Sequence, residues 1–227
     1  MANASRRSGW LAALIVGGVW LGGCASQAHT PLLYANPGVR VERPSIGGLP
    51  FKPGMELQVG DIVQTAGGVA VIDFDDDNVV ALREHTRIQL GSIRLFVGEV
   101  FARIGTIATR GGGLVITDEL SASTKGTEYA VRRVTVPGRT GVGHTTVIVR
   151  QGTVACEDAD RRRQPVSVTP NRLLRIEGKQ PPQPLRVVNA KAETVWADEA
   201  IKFLRRWRPW RFGVQPAPIP HFIGPRP

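Results

Sequence analysis

The sequence predicts an all-β domain of short strands, followed by a C-terminal helix and a proline-rich tail. Between residues 56 and 177, short runs rich in apolar and β-branched residues alternate with glycine or Asx turns, a pattern typical of strands. No helical period of useful length occurs in this stretch. The 227 residues include 26 glycines and 17 prolines, which fits many turns but falls short of a disordered composition.

The composition limits the kind of partner and site. The formal net charge is +10, which favours an anionic partner such as nucleic acid, lipid headgroups or a cell-wall polymer. The chain has two cysteines and four histidines, too few for a disulfide framework or a zinc-finger array.

Residues 1–23 are predicted to form an export signal. Two arginines precede an uncharged apolar run over residues 10–21, which is shorter than the roughly 20 residues that a spanning helix needs. The segment Leu-Gly-Gly-Cys that ends at Cys24 resembles the bacterial lipobox. That resemblance implies an acylated Cys24, and alanine rather than aspartate at position 25 implies the outer membrane, facing the periplasm. An ordinary cleaved signal peptide is the alternative.

Lipidation would leave Cys156 as the one remaining thiol. An exported protein normally pairs its thiols in a bridge, so we expect Cys156 to be buried and to act as a small apolar residue. Removing the signal takes away two arginines and no acid, which lowers the net charge from +10 to +8.

Residues 24–55 are rich in proline and glycine and predict a flexible tether. Such a segment would span on the order of 30 Å and hold the β domain, residues 56–178, away from the membrane.

Within the β domain, the apolar runs define individual strands. An acidic turn at residues 75–78 separates the first two, and residues 137–143 are predicted to form a hairpin loop. The acidic turn lacks the sixth-position glycine and twelfth-position glutamate of a calcium loop, which favours a solvated turn. The predicted strands are 69–74, 79–82, 88–90, 93–97, 99–104, 114–117, 128–132, 145–150 and 153–156.

Three short segments of this domain resemble one another, and each has a central glycine. These glycines are Gly60, Gly98 and Gly152. A glycine between two strand-like arms fits a tight turn or a bulge with positive φ. Chance similarity among β-turns is the alternative to a true recurrence.

Five motifs occur in order between residues 57 and 157. They are Asp61–Thr65, the acidic turn before Val79–Leu82, Leu95–Val100, Ser123–Val131 and Val147–Val154. Together they resemble the FecR family of envelope domains. The resemblance implies a β-rich fold of stacked short strands, in a β-solenoid-like or sandwich arrangement. It also implies that the motif residues Gly60, Gly98, Gly126, Thr127 and Gly152 have structural roles.

The chain departs from that family at its N-terminus. Regulators of the family carry a cytoplasmic anti-sigma segment and a spanning helix before this domain, whereas nine residues precede the apolar run of this chain. We therefore expect the extracytoplasmic module alone, mounted on lipid and without a direct route to a sigma factor.

Residues 179–227 are predicted to form a basic aromatic helix and a proline-rich tail. Asn189 is a fitting N-cap for a helix from Ala190 to about Trp207, which Pro209 would end. Its predicted apolar face consists of Ala192, Trp196, Ala200, Phe203 and Trp207. The candidate membrane or partner contacts in this region are Trp196, Phe203, Arg205, Arg206, Trp207, Arg208, Trp210, Arg211 and Phe212.

Three interpretations of this aromatic and basic segment remain open. It can cover its own β domain, bind anionic lipid or a cell-wall polymer, or dock onto another envelope protein. The charge alone would allow nucleic acid, but we expect no nucleic-acid partner because the chain is predicted to be exported.

The sequence offers no catalytic residues, no metal ligands and no cofactor motif. The histidines show no metal-ligand spacing, and no nucleophile elbow or phosphate-binding loop follows a strand into a helix. We therefore expect a lipid-anchored envelope protein that acts by binding rather than catalysis, with a sensory or regulatory role. A structural or assembly component of an envelope, secretion or surface-polymer machine is the alternative.

Overall fold

The structure is a computed structural model that describes residues 30–75, 77–105, 113–136 and 143–207, with the backbone alone for residues 205–207. Strands dominate this part of the chain, which confirms the all-β class. The strands are β1 (Leu32–Ala35), β2 (Val39–Arg43), β3 (Gly47–Leu49), β4 (Met55–Glu56), β5 (Ile62–Thr65), β6 (Ala70–Asp73), β7 (Val79–Leu82), β8 (Arg87–Gln89), β9 (Ile93–Ile104), β10 (Leu114–Ile116), β11 (Leu120–Thr124), β12 (Thr127–Thr135), β13 (Gly143–Gln151), β14 (Val154–Asp158), β15 (Val166–Val168), β16 (Arg172–Glu177) and β17 (Arg186–Val187). The helices are α1 (Ala190–Glu193) and α2 (Val195–Trp207).

The long strand β9 belongs to two sheets. Sheet 1 has the spatial order β4, β1, β6, β7, second half of β9, β12, β13, β16, β17, and all its pairs are antiparallel. Sheet 2 has the order β3, β2, β5, β8, first half of β9, β10, β11, β14, β15, and here β9 and β10 pair in parallel. This mainly antiparallel pairing corresponds to the sandwich, one of the two expected arrangements.

The main hydrophobic core contains residues from both sheets. Ile72 and Val131 contribute from sheet 1, and Ile88, Leu95 and Val115 contribute from sheet 2; each is 1% exposed or less. Alternate residues of a strand point to one face, so each sheet supplies one face to this core. Cys156 of β14 lies in the same core as a free, buried thiol, as the sequence predicts.

A second, smaller cluster lies on the other face of sheet 1. Helix α2 packs there, so sheet 1 is covered on both faces, and every residue of β6 and β7 is buried. This double burial explains why these strands read as continuous apolar runs rather than as an alternating pattern. The buried residues of the cluster are Tyr34, Val71, Val79, Ala81, Phe101, Ala130, Ala197, Ala200, Ile201 and Leu204.

The chain passes between the sheets through residues with positive φ. Gly98, where β9 leaves sheet 2 for sheet 1, has φ 97°. A Cβ at this position would overlap the side chain of Thr86 and lie 2.5 Å from its Cα, so the crossing requires glycine. The positive-φ residues of the described crossings are Gly38, Gly54, Gly60, Gly68, His85, Gly98, Gly126, Gly152 and Asn171.

The predicted tether over residues 24–55 is wrong for its described part. Residues 32–56 form strands β1 to β4, and β1 lies inside sheet 1 between β4 and β6. Leu33 and Tyr34 are fully buried. Most of the prolines and glycines that suggested a flexible linker occupy the short turns between these strands, whereas Gly47 and Gly48 lie within β3. The β domain therefore begins well before residue 56.

The C-terminal boundary at residue 179 also needs correction, because β17, α1 and α2 belong to the same folded unit. Asn189 caps α1 as predicted, its side chain accepting from the backbone N–H of Ala192. The helix is interrupted at Thr194, whose carbonyl accepts from the Arg150 guanidinium at 2.7 Å.

The apolar face of α2 is rotated from the predicted one. Ala197, Ile201 and Leu204 are buried together with Ala200, while Trp196 and Phe203 flank them half-buried. Ala192, which the prediction placed on this face, is exposed. The prediction followed the large aromatic residues, whereas the small residues are the ones that allow close approach of the helix to the sheet.

The two turns singled out in the sequence lie between antiparallel neighbours. At the acidic turn, the Asp75 carboxylate accepts from the backbone N–H and the side-chain amide of Asn78, which joins β6 to β7. Strands β12 and β13 pair on either side of the predicted hairpin loop, whose residues 137–142 lie outside the described residues.

Candidate functional site

Arg150 of β13 ties both helices to sheet 1. Its side chain is 9% exposed, and its guanidinium binds the Asp198 carboxylate at 2.7 and 3.1 Å. It also donates to the side chain and carbonyl of Thr194 and lies 4.8 Å from the centre of the Phe101 ring. These contacts occupy all three guanidinium nitrogens, so the role of Arg150 is to hold the helices in place.

Glu99 of β9 makes a second connection to α2. The carboxylate is almost fully buried and accepts from Arg83 at 3.1 Å and from Arg132 at 2.9 Å. Its other oxygen accepts from the indole Nε1 of Trp196 at 3.2 Å. Arg83 also lies 5.9 Å from the Trp196 ring centre. The buried charge is thus satisfied by two cations and an indole, and the start of α2 is fixed on sheet 1.

A cleft opens between the helices and strands β9, β12 and β13. Its volume is about 730 Å³, which is within the range of small-molecule sites. Four cations line it: Arg103, Arg150, Lys191 and Lys202. The carboxylates of Glu128 and Asp198, the amides of Gln151 and Asn171 and the side chain of Ile201 complete the wall.

The cations of the cleft act on Asp198. The hydrogen bond from Arg150 is the main cause of a pKa below the ordinary aspartate value, and the charges of Arg103 and Lys191 lower the pKa further. Burial acts in the opposite direction. Asp198 is therefore an anion at neutral pH, inside a surface that carries more positive than negative charge.

A polar cluster outside the cleft, centred on Arg133, joins the two sheets. Arg133 of β12 binds Glu119 at 2.8 Å and Asp118 at 2.7 Å, both of which lie in the turn between β10 and β11. Thr145 donates to Glu119 at 2.7 Å. Arg133, Glu119 and Thr145 are almost fully buried, so this cluster is a structural connection between the sheets.

The predicted motif residues form two similar glycine–threonine contacts. A Cβ at Gly152 would overlap the side chain of Thr127 and lie 2.7 Å from the carbonyl oxygen of Gly126, so these three motif residues meet at one crossing. Gly98 packs against Thr86 in the same way. The Thr86 hydroxyl accepts from the backbone N–H of Glu99 at 3.0 Å, which closes the crossing inside β9. Gly60 has positive φ but open space around it.

The predicted contact residues divide into described and undescribed ones. Trp196 and Phe203 are half-buried against sheet 1 of their own domain. Arg205, Arg206 and Trp207 lie in the last turn of α2, which is described by its backbone alone. Cys24 and the predicted contacts Arg208, Trp210, Arg211 and Phe212 lie outside the described residues.

Sequence reasoning missed Glu99, Arg150 and Asp198. Glu99 is a charged residue before a run of apolar residues, and Arg150 is a charged residue directly after one. A charge in such a position is buried and must be paired, which is a signal that could have been read. Asp198 carried no comparable signal, because an acidic residue near the start of a helix is common.

Two further features concern metals and membranes. Within the described ranges, no three His, Cys, Asp or Glu side chains are grouped as metal ligands. The same part of the chain has no helix that is long and apolar enough to span a membrane.

Comparison with known proteins gives structural neighbours only. No protein-family model matches the chain, and no curated protein matches it either. Two crystal structures from Parabacteroides distasonis, each titled as a proposed anti-sigma factor, are similar to it. The first has a TM-score of 0.45 and 16% identity, covering 60% of this chain and 64% of that chain. The second has a TM-score of 0.37 and 15% identity, and the match covers 74% of this chain and 64% of that chain. The chain thus spans less than two thirds of either neighbour.

Proposed function

We propose that this chain is a lipid-anchored protein of the bacterial envelope whose β domain binds a ligand or another envelope protein in a sensory or regulatory role. The observation that carries the binding function is the charged cleft between the helices and sheet 1. It is wide enough for a small molecule or a short protein segment, and rigid strands and the Arg150 contacts define its walls.

Sequence features support the location and the family. The lipobox-like segment before Cys24 supports acylation at that cysteine, and Ala25 supports sorting to the outer membrane. The five motifs between residues 57 and 157 support membership of the FecR family. In this proposal the domain faces the periplasm and performs no catalysis.

Acylation can be tested by metabolic labelling with an alkyne analogue of palmitate, followed by membrane fractionation. We expect label on the wild-type chain in the outer-membrane fraction. The Cys24→Ser variant should be unlabelled and leave that fraction. Equal labelling of the two chains would contradict acylation at Cys24.

The binding role can be tested by in-cell crosslinking of the membrane-anchored chain, affinity capture and mass spectrometry. We expect a captured envelope partner with the wild type and a reduced yield with Lys191→Glu, which reverses a charge at the cleft. Lys179→Glu, at an exposed position outside the cleft, is the matched control. Equal capture by both variants would exclude the cleft as the contact surface.

A further inference from the structure

The carboxylates of the cleft are already neutralised within the protein. Glu128 accepts from Arg103 at 2.7 Å, and both carboxylate oxygens of Asp198 accept from the two terminal nitrogens of Arg150. A cation entering the cleft would have to compete with these arginines for both carboxylates. Cationic ligands are therefore disfavoured.

The cations, in contrast, keep unused binding capacity. Arg103 donates to Glu128 through its Nε alone. Its two terminal nitrogens make no hydrogen bond or ion pair with the described residues. The Lys191 ammonium likewise has no hydrogen bond or ion pair within the described ranges. Among the described residues, Lys202 is paired only with Glu199, in an exposed contact at 2.7 Å that contributes little and exchanges readily.

The free end of a guanidinium is well suited to two oxygens of one anionic group, because its donors form a planar fork. The neighbouring amides extend this donor set. The Asn171 side-chain oxygen accepts from the backbone N–H of Ala190 at 3.3 Å, which leaves the amide nitrogen as a donor. Ile201, which is 7% exposed, gives the same cleft an apolar portion.

We propose that the cleft binds a small molecule through an anionic oxygen group, a phosphate or a carboxylate, held by the terminal nitrogens of Arg103 and the ammonium groups of Lys191 and Lys202. This inference rests on the proposed binding function and names the chemistry of its ligand. The cleft, of about 730 Å³, has room for a ligand larger than phosphate alone.

The test is calorimetric titration of the full-length acylated chain in non-ionic detergent with inorganic phosphate, glycerol 1-phosphate and citrate. We expect saturable binding of at least one of them. Lys191→Gln and Arg103→Lys should each weaken the affinity about tenfold, since each removes one charge-assisted hydrogen bond or more. Lys179→Gln should bind like the wild type. Lys191→Gln removes no described side-chain contact, so loss of folding would not account for its effect.

A second arm separates a free ligand from a lipid headgroup. The mature chain carrying Cys24→Ser, which has no acyl group that could insert into a bilayer, is mixed with vesicles of phosphatidylglycerol or of phosphatidylcholine, and binding is measured by flotation. Binding to phosphatidylglycerol that Lys191→Gln reduces, without binding of the free anions, supports a headgroup as the source. Binding of a free anion that Lys191→Gln reduces supports a soluble ligand.

The inference is overturned if no anion and no vesicle binds, or if Lys191→Gln and Arg103→Lys bind as the wild type does. If anions fail to bind while partner capture still depends on Lys191, the inference fails and the proposed binding function stands.

Discussion

The guanidinium of Arg150 reaches from the middle of β13 to both carboxylate oxygens of Asp198 on α2, at 2.7 and 3.1 Å. This pair connects residues that lie far apart in the sequence, and it forms one wall of the cleft. Because Arg150 is 9% exposed and Asp198 28% exposed, solvent screens the pair only partly. The position of the helix therefore depends strongly on this contact.

Replacement of Asp198 by alanine is expected to lower the free energy of unfolding by about 1–3 kcal/mol, because the mostly buried Arg150 loses a charged hydrogen-bond partner. Urea unfolding followed by circular dichroism measures the change. Lys202→Ala, which removes an exposed pair on the same helix, is the control and should change stability by less than about 0.5 kcal/mol. A similar change in both variants would show that the contact between Asp198 and Arg150 contributes no more than an exposed ion pair.

Glu99→Ala should loosen the start of α2, because the indole of Trp196 loses its acceptor. We expect a red shift of tryptophan emission and a loss of about 1–2 kcal/mol in stability. The measurement is made with Trp207 and Trp210 replaced by phenylalanine, so that emission of the mature chain comes from Trp196. Glu84→Ala, an exposed neighbour of Arg83, is the control. Unchanged emission after Glu99→Ala would contradict the assigned contact.

A series of glycine-to-alanine variants should separate steric overlap from backbone strain. Gly98→Ala is expected to cost about 2–4 kcal/mol or prevent folding, since the new Cβ would meet the Thr86 backbone at a positive φ. Gly60→Ala has the positive φ without the overlap and should cost about 1 kcal/mol. Gly48→Ala has neither and should be nearly neutral. Equal effects at the three positions would refute this ranking, and thermal unfolding measures it.

Stability should fall in acid partly through Asp61 and Asp198. Burial acts to raise the pKa of Asp61, but hydrogen bonds from Arg43 and the Gln58 backbone outweigh it, and the resulting pKa is below the ordinary value. The pKa of Asp198 is lowered mainly by Arg150. A carboxylate with a lowered folded-state pKa stabilises the protein above the unfolded pKa of about 3.9 and loses this contribution as the pH falls through the folded value.

Asp61→Asn is therefore expected to reduce the difference in stability between pH 7 and pH 3, although it lowers stability at pH 7. Urea unfolding at a series of pH values gives both quantities. Asp160→Asn, at a residue held only by ion pairs of 3.7 and 3.9 Å, is the control. If Asp61→Asn and the wild type lose stability equally between these pH values, the linkage to Asp61 is refuted.

Cys156 should resist thiol reagents in the folded state. Burial raises the pKa of its thiol to about 12, so the reactive thiolate is scarce at neutral pH, and the side chain is 2% exposed. In a Cys24→Ser background, a chromogenic disulfide reagent should react in urea and barely react without it. Rapid reaction of the folded chain would contradict the burial of Cys156.

The sequence predicted strands correctly where the apolar pattern of a strand lies within a few consecutive residues. Strands β6 to β10 and β12 to β14 fall on predicted runs, because their residues pack in alternation or are buried on both faces. The long strand β9 is predicted as two strands, 93–97 and 99–104. The first four strands were missed because turn residues interrupt the apolar residues every few positions in that stretch. Their burial depends on pairing of β1 with β6 and of β2 with β5, a long-range property that composition does not show.

The cleft was harder to predict for a related reason. Arg103, Arg150 and Lys191 belong to two separated strands and to a short helix, and no local spacing links them. The predictions placed basic and aromatic residues in the C-terminal region. They singled out Trp196 and Phe203 there, but not Lys191 or the strand arginines that line the cleft. The three-dimensional arrangement alone shows which cations lie together.

The sharing of β9 between two sheets makes the domain indivisible. Its first half completes sheet 2 and its second half sits between β7 and β12 in sheet 1, so a break at Gly98 would open both layers at once. Neither half of the chain retains a closed core without the other, and unfolding should proceed as one cooperative event. Backbone amides in the second half of β9 should then exchange with solvent only through global unfolding, and shorter versions of this domain should retain the whole of that strand.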